Sequence, residues 1–218
     1  MIQRVYEGAR QSKLLSDLIV ACDDERILKA VQGFGGKACM TSAHHPSGTD
    51  RVAEAVLRLD CEWVVNIQGD EPLMKGQMID QVIRGLESDA PMSTLARPMH
   101  GIHGWLDPNV VKVVCDDQGY ALYFSRAHIP YARDLGPDFS DSKKEKEVFW
   151  LKHVGLYAYR KDFLIELTKR KPSSLELIER LEQLRVLQTG SRIKVMLIEE
   201  DSIGVDTPKD LEEVKKHL

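Results

Sequence analysis

A chain of 218 residues is long enough to bury a full hydrophobic core, and its length predicts a single domain. Apolar residues make up 43% and charged residues 29%, as in ordinary globular proteins, and the net charge of −4 gives no support to a nucleic-acid or membrane-surface partner. No apolar run approaches the roughly 20 residues of a membrane span. The cysteines form no C-x-x-C pair, which predicts buried thiols in a reducing compartment, by default the cytoplasm.

The first half of the chain alternates between helix and strand signals. Apolar residues at helical spacing predict an uncapped helix at residues 2–9. Strands are predicted at residues 18–21, 37–40, 63–67 and 92–96, with helices at about 25–34, 51–59 and 78–86. This order predicts an α/β fold, with a mostly parallel sheet wrapped by helices. Because such a sheet normally begins with a strand, we expect its first unit to be absent from the sequence as given.

The second half predicts an antiparallel pair of strands, at residues 110–115 and 120–124, inserted at the edge of the sheet. Residues 132–147 bury little and predict a mobile surface loop whose lysine-rich run is solvated. Further strands are predicted at 153–159 and 193–198, and helices at 161–169, 174–189 and 208–217.

The segment Trp63–Pro72 (WVVNIQGDEP) is the most informative in the sequence. Its β-branched run ends in a glycine flanked by polar and acidic residues, which is typical of a buried parallel strand that delivers a carboxylate to the ligand-binding edge of a sheet. Asp70 is therefore a candidate ligand for Mg²⁺ that carries a nucleoside triphosphate. The alternative is a strand-end turn with a solvated Asp-Glu pair.

A second stretch, Gly204–Leu211 (GVDTPKDL), begins the last predicted helix. Thr207 is placed to cap that helix, with proline at the first helical position and Asp210 three residues after the cap. Asp206 then remains as a carboxylate beside the helix entrance, where it and Asp70 could share one Mg²⁺. The alternative is that Asp206 itself helps to cap the helix.

The loop His44–Arg51 (HHPSGTDR) opens a predicted helix. Backbone amides at a helix start accept anions or ligand oxygens, and Gly48 permits close approach. Arg51 lies one turn into the helix, within reach of a phosphate or a base edge. A plain helix cap by Ser47 or Thr49 is compatible with this role. The histidine pair has no Cys or carboxylate spacing that would indicate zinc.

Four further polar residues are candidates to contact a substrate. Arg126 follows a strand and suits a carboxylate through paired hydrogen bonds, although a surface salt bridge is the commoner role. His153 opens an apolar strand, as a ligand group or as a half-buried histidine. Glu182 and Gln183 lie within a predicted core-forming helix, where they bind hydroxyl groups or face solvent. The sequence contains no motif of a hydrolase, a kinase or a dinucleotide-binding protein.

Six segments, taken together and in this order, resemble the 3-deoxy-manno-octulosonate cytidylyltransferase family. They are HPSGTDR (His45–Arg51), NIQGDEP (Asn66–Pro72), YALYFSRAHIP (Tyr120–Pro130), KHVGLYAYR (Lys152–Arg160), LEQLRVL (Leu181–Leu187) and GVDTPKDL (Gly204–Leu211). The resemblance implies a single domain over residues 1–218 with a three-layer nucleotide-diphospho-sugar transferase fold, and a homodimer. It also implies Mg²⁺-dependent transfer of CMP from CTP to 3-deoxy-D-manno-octulosonate (Kdo), with release of pyrophosphate, for lipopolysaccharide assembly.

The same resemblance implies roles for individual residues. Asp70 and Asp206 match the metal-binding aspartates of the family by position. The region that holds the nucleotide matches His45, Ser47, Gly48, Arg51 and Gln68. The family grips the acidic sugar where this chain has Arg126, His153, Glu182 and Gln183. Residues 107–150 match the dimerisation region, an edge insertion that carries the loop at 132–147.

One feature of the family is absent from the sequence as given. The family begins with a strand and a basic loop, A-R-x-x-S-x-R-L-P-G-K-P, that wraps the triphosphate, whereas this sequence starts at the first helix of the family. We therefore expect a protein with only these residues to be inactive or nearly so, which CMP-Kdo formation by it would contradict. The rival interpretations are a cytidylyltransferase for another acidic sugar, such as sialic acid, and an inactive sugar- or nucleotide-binding domain.

Overall fold

The computed structural model describes residues 1–135, 146–200, 204–205 and 207–216. The helices are α1 (Ile2–Ala9), α2 (Glu25–Gly33), α3 (Gly48–Val56), α4 (Gly76–Arg84), α5 (Lys161–Thr168), α6 (Ser174–Glu179), α7 (Gln183–Gln188) and α8 (Pro208–Lys215). The strands are β1 (Val20–Cys22), β2 (Ala38–Met40), β3 (Trp63–Asn66), β4 (Met92–His100), β5 (Lys112–Cys115), β6 (Ala121–Ser125), β7 (Phe149–Arg160) and β8 (Ile193–Leu197). Among these helices, none is both long and apolar enough to cross a membrane.

The strands of the described chain form a small sheet and a large one. β1 and β2 pair in parallel by themselves. The large sheet has six strands in the order β6-β5-β7-β4-β8, with β3 paired to the second half of β7. β7 runs antiparallel to β3, β4 and β5, whereas β4 and β8 are parallel. The predicted α/β class is confirmed, but the sheet is mixed rather than mostly parallel, because hydrophobic spacing predicts a strand without its direction.

Helices cover both faces of the large sheet and give the fold three layers. One hydrophobic cluster joins α3, α5 and α7 to the first face, and a second joins α1 and α4 to the opposite face. β4 contributes to both clusters: Met92 and Ala96 belong to the first and Leu95 to the second. This alternation is the period of two that a strand imposes on its side chains.

The antiparallel pair predicted in the second half is confirmed. β5 and β6 pair around a turn in which Gly119 takes a φ of 77°, and β5 also joins β7. A separate small core lies in this part of the fold, where Trp105 and Trp150 are buried together with Leu135 and Val148. The prediction of a mobile loop at 132–147 falls mostly on residues 136–145, which lie outside the described residues.

β7 carries two extra residues, Gly155 and Leu156, opposite β4. Thr94 of β4 pairs with Tyr157, but the next residue of β4 pairs with Val154. Because the insertion is even in length, the alternation of faces continues through it, and Val154 and Leu156 both belong to the cluster beneath α4. β7 therefore bends locally without turning its polar and aromatic side chains to the wrong face.

The single helix predicted over residues 174–189 is wrong, since the structure has two helices there. α6 ends at Glu179, and Arg180 adopts a left-handed backbone with a φ of 56° before α7 begins. The apolar spacing continues across this break, so periodicity alone does not reveal it. As a consequence, Glu182 and Gln183 lie at the start of a helix and not in the middle of one.

A cavity of about 540 Å³ lies between β1 and β3. Helix α1 lines it through residues such as Val5, and α3 lines it through residues such as Val52. The cavity also borders Gly48, Arg51 and Gln68. The apolar space between the two sheets thus adjoins the residues that the sequence predicts to bind a nucleotide.

Candidate functional site

The end of β3 presents polar side chains next to the start of α3. Asn66 is buried, and its amide donates to the Thr49 hydroxyl at 3.5 Å. Gln68 donates in turn to the Asn66 amide oxygen at 3.4 Å. A Cβ added to Gly48 would lie 3.5 Å from the Gln68 amide oxygen, so the first helical residue faces this amide. The structure therefore brings Gly48 and Gln68 together, as the predicted nucleotide site requires.

Helix α3 begins at Gly48, three residues earlier than predicted, because Ser47 caps it. The Ser47 hydroxyl accepts from the backbone N–H of Asp50 at 3.2 Å and donates to the Asp50 carboxylate at 2.5 Å. A serine cap satisfies one of the unpaired N–H groups at a helix start. The capping alternative for Ser47 is thus confirmed, while its contact with a nucleotide stays a prediction.

Arg51 and His45 both lie against protein carboxylates. Arg51 donates to the Thr41 hydroxyl at 2.8 Å and forms an ion pair with Asp23 at 2.6 Å. His45 lies against the carboxylate of Glu54. A phosphate that approached either side chain would have to displace these carboxylates, so the predicted nucleotide contacts compete with existing ones.

Asp70 is half-buried in the turn that follows β3. Its backbone carbonyl accepts a hydrogen bond from the Val205 N–H at 2.9 Å, which joins this turn to the segment before α8. At the start of α8, Thr207 and Asp210 cap each other: the Thr207 N–H donates to the carboxylate at 2.8 Å, and the Asp210 N–H donates to the Thr207 hydroxyl at 3.3 Å. The predicted Thr207 cap is confirmed.

Asp206, the second predicted metal ligand, lies outside the described residues. Within the part of the chain that the structure describes, no group of three or more His, Cys, Asp or Glu side chains is arranged to hold a metal ion. The hydrogen bond between Val205 and Asp70 joins the chain next to position 206 to the Asp70 turn. Metal binding by the two aspartates stays a prediction.

The side chains of Gln68, Asn66 and Thr49 form a polar row from the end of β3 to the start of α3. Two tyrosines of β7 extend this polar row across the sheet. Tyr159 lies close to the Thr49 side chain, and the rings of Tyr157 and Tyr159 lie 6.2 Å apart. Burial raises the pKa values of both phenols, and the negative charge of Glu182 adds to both shifts. Glu182 is therefore close to the tyrosines, which were not predicted as site residues although they share a face of the strand with His153.

Gln183 has an unsatisfied buried donor. The residue is 4% exposed, and among the described residues its amide nitrogen Nε2 has no hydrogen-bond partner. Leaving such a group unpaired costs about 1–3 kcal/mol, which a ligand that accepts its hydrogen bond would recover. The break after α6 places Gln183 at the first position of α7, and its contact with a sugar stays a prediction.

His153 is half-buried among aromatic rings on β7. Its imidazole lies edge-on to Phe124 with centroids 5.0 Å apart, and 5.5 Å from the Tyr157 ring. Its Nε2 atom lies 3.0 Å from the Thr94 hydroxyl. Burial lowers the pKa of His153 to about 3, so the imidazole is neutral near pH 7.

Arg126 is held mainly by backbone groups. Its guanidinium donates to the carbonyls of Glu179 at 2.8 Å and Pro108 at 3.1 Å. The backbone N–H of Arg126 donates to the Glu179 carboxylate at 2.9 Å. The buried Lys112 ammonium donates to the Arg126 carbonyl at 2.6 Å. Arg126 thus fixes the end of α6, and its predicted contact with a sugar carboxylate stays a prediction.

Comparison with known proteins places this arrangement in a family. A model of the family described as cytidylyltransferase matches residues 1–193. The chain belongs to the cytidylyltransferase family, and it is accordingly a nucleotidyltransferase.

Two similar relatives indicate a narrower group within this family. The 3-deoxy-manno-octulosonate cytidylyltransferases of Geotalea uraniireducens and Geobacter sulfurreducens are 51% and 50% identical to the chain, each over all of it and over 88% of the relative. These matches confirm the resemblance identified from the sequence.

Solved structures give the same result for the fold. CMP:2-keto-3-deoxy-manno-octonic acid synthetase, solved as a complex with CTP, superposes with a TM-score of 0.89 at 39% identity, over 99% of this chain and 86% of that one. A 4-diphosphocytidyl-2C-methyl-D-erythritol synthase from Anaerococcus prevotii has a TM-score of 0.61 at 16% identity, over 99% of this chain and 87% of that one, and shares the fold. The nucleotide-diphospho-sugar transferase fold is confirmed.

Proposed function

We propose that the chain catalyses Mg²⁺-dependent transfer of CMP from CTP to Kdo, forming CMP-Kdo and pyrophosphate for lipopolysaccharide assembly. Relatives about half identical over the whole chain are named 3-deoxy-manno-octulosonate cytidylyltransferase, and a similar structure was solved with CTP. The structural observation that carries the proposal is the meeting of α3, β3, β7 and α7 at one polar row, which ends in the unsatisfied amide of Gln183.

The two substrates have distinct places in this arrangement. The start of α3, with Ser47 and Gly48, offers backbone N–H groups and a positive dipole end, which suit phosphate and ribose oxygens. The Gln68 amide facing Gly48 suits the polar edge of a base or a hydroxyl. Glu182, Gln183 and the neutral His153 offer hydrogen bonds of both directions, as a polyhydroxylated sugar requires.

The reaction exchanges a phosphoanhydride bond of CTP for a phosphoester bond to the sugar. The anomeric hydroxyl oxygen of Kdo forms a bond to the α-phosphorus of CTP, the bond from that phosphorus to the bridging oxygen breaks, and pyrophosphate leaves with the bonding electrons. The hydroxyl proton is released to solvent or to the leaving phosphates. The protein's contribution is to hold the two substrates in line and to surround the reacting phosphate with fixed donors.

Asp70 and Asp206 are the residues that would hold Mg²⁺. Carboxylate oxygens are the donors that Mg²⁺ prefers, and the half-buried position of Asp70 after β3, joined to the segment before residue 206, fits this role. A bound Mg²⁺ would supply charge neutralisation at the phosphates and lower the pKa of the attacking hydroxyl.

The test is pyrophosphate release from CTP in the presence of Mg²⁺ with Kdo, with sialic acid or with no acceptor, together with ³¹P NMR of the product. We expect release only with Kdo, and a sugar-linked CMP resonance, at a rate that is very low in a protein with only residues 1–218. Preference for sialic acid would refute the acceptor assignment, and binding of both substrates without release would indicate a binding domain.

A pair of glutamine variants tests the site itself. Gln183→Ala removes the unsatisfied amide, and we expect it to raise the KM for Kdo while the KM for CTP is kept. Gln32→Ala is the matched control, because Gln32 is exposed on α2, outside the polar row. Equal effects of the two variants would contradict the assignment of Gln183.

We also propose a homodimer in the cytoplasm. Leu122, Tyr131 and Phe149 are exposed by 51–61% within residues 107–150, and exposed apolar side chains on one region favour an interface. The four cysteines are free thiols, which supports a reducing compartment.

A further inference from the structure

The hydroxyl of Thr94 occupies a point where three polar atoms of β7 converge. Thr94 is fully buried on β4, at the position where the pairing with β7 shifts by two residues. Its oxygen lies 2.9 Å from the Leu156 carbonyl oxygen and 3.3 Å from that of Val154. It also lies 3.0 Å from Nε2 of His153. The bulge therefore directs two carbonyls and one imidazole nitrogen toward a single hydroxyl.

Counting hydrogens at this point fixes the direction of each bond. A threonine hydroxyl has one hydrogen to donate and two lone pairs with which it accepts. The carbonyls of Val154 and Leu156 can only accept, so the hydroxyl hydrogen is best used on them, at the shorter distance to Leu156. The remaining contact, with His153, is then a hydrogen bond that the threonine oxygen accepts. Nε2 of His153 must carry the proton that makes this bond.

The opposite tautomer leaves hydrogen bonds unmade around the buried Thr94 hydroxyl. If Nδ1 carried the proton, the Thr94 hydroxyl would have to donate to Nε2, and it would no longer serve either carbonyl of the bulge. Losing a hydrogen bond at a buried group disfavours that arrangement. Phe124 and Tyr157 flank the ring with aromatic surface. Burial, which lowers the pKa of His153, supports a single proton on the ring.

We propose that Thr94 is a positioning residue that holds His153 as the Nε2–H tautomer, so that Nδ1 is left as an acceptor for a hydroxyl group of the acceptor sugar. The identity of that ligand rests on the proposed function, whereas the tautomer does not. A neutral acceptor nitrogen recognises a hydroxyl and not a carboxylate. His153 therefore selects for the hydroxyl pattern of the sugar and leaves its acid group to other residues.

The tautomer is measured directly by long-range ¹H–¹⁵N NMR of the full chain with ¹⁵N-labelled histidine, in the absence of substrate. The His153→Gln variant identifies the signals of His153 by their loss. We expect the wild-type protein to show a protonated Nε2 and an unprotonated Nδ1. A protonated Nδ1, or a ring protonated on both nitrogens near pH 7, would overturn the proposal.

Two variants of Thr94 connect the tautomer to binding. Thr94→Val removes the hydroxyl at nearly constant shape, and we expect a mixture of tautomers and a roughly three- to tenfold higher KM for Kdo, with the KM for CTP unchanged. Thr94→Ser retains the hydroxyl and keeps the wild-type tautomer and KM. An unchanged Nε2–H tautomer in Thr94→Val would overturn the positioning role. If the chain does not use Kdo at all, the proposed function fails while the NMR result still stands.

Discussion

The neutral state of His153 makes the stability of the fold depend on pH in a calculable way. Burial lowers the pKa of His153 from 6.5 to about 3 in the folded chain. The unfolded chain therefore binds a proton below about pH 6.5 that the folded chain does not bind, and protonation favours unfolding. Each pH unit below 6.5 costs about 1.4 kcal/mol, so this residue alone removes about 2 kcal/mol of unfolding free energy at about pH 5. Above the unfolded pKa its contribution no longer changes.

Among the residues that the structure describes, no group that packs on the ring cancels this effect. From β6 the ring meets Phe124 and from β4 it meets Thr94, neither of which carries a charge. From its own strand it meets Tyr157, whose pKa is raised by burial and which stays neutral through this range. The charge of Glu182 lies near the tyrosine. Since that carboxylate is also present in a variant without the imidazole, the difference between the two proteins isolates His153.

The assay is urea unfolding of the wild-type protein and His153→Gln between about pH 5 and about pH 7.5. We expect the wild-type protein to lose about 2 kcal/mol more than the variant on acidification, whatever the absolute stability of each. His103→Gln is the control, because His103 is exposed on a surface turn and its replacement leaves the His153 imidazole in place. Parallel curves for the wild-type protein and His153→Gln would refute the assignment of a half-buried imidazole that stays neutral.

Three further outcomes follow from the structure. Arg185→Met leaves the buried carboxylate of Glu176 without its paired hydrogen bonds of 2.5 and 2.8 Å. We expect this variant to lower the unfolding free energy by about 3–5 kcal/mol in urea titrations. A small change would show that the pair is solvated. Asp70→Asn should reduce kcat/KM by on the order of 10²-fold and raise the Mg²⁺ concentration needed for turnover, and unchanged Mg²⁺ dependence would remove Asp70 from the metal site. Leu122→Asp should convert the proposed dimer to a monomer in light scattering, and an unchanged mass would place the interface elsewhere.

Local signals in the sequence were sufficient for several parts of the site. The apolar run that ends before Gln68 predicts a strand, and Ser47 followed by Gly48 predicts a helix start. Both elements form, and their ends meet with Gly48 against the Gln68 amide. This agreement has a physical cause: strand ends and capped helix starts are determined by residues close together in the chain, so a single sequence contains the information.

The parts that could not be predicted depend on contacts between distant residues. Arg180 carries no glycine-like signal, yet its left-handed backbone divides a predicted helix and creates the helix start that presents Gln183. The two-residue bulge in β7 cannot be detected in the sequence pattern either, because an insertion of even length leaves the alternation of apolar residues unchanged. The partner of Arg51, Asp23, comes from another segment, so motif spacing gave the candidate role of Arg51 but not its ion pair.

The existing partners of the arginine and histidine side chains affect how an anionic nucleotide would bind. Arg51 is paired with Asp23, His45 lies against Glu54, and the guanidinium of Arg126 donates to backbone carbonyls, so each of these side chains already has a polar partner. If a phosphate replaced Asp23, one charge-assisted hydrogen bond to Arg51 would be exchanged for another, so the gain in binding free energy would be only the difference between them. Leaving the Asp23 carboxylate unpaired would reduce this gain further. The unpaired amide of Gln183 offers the opposite balance, because a ligand oxygen there adds a bond without breaking one. Among the described residues, the net gain from hydrogen bonding therefore favours the hydroxyl-rich sugar, while recognition of the triphosphate depends on an exchange of ion pairs or on added positive charge.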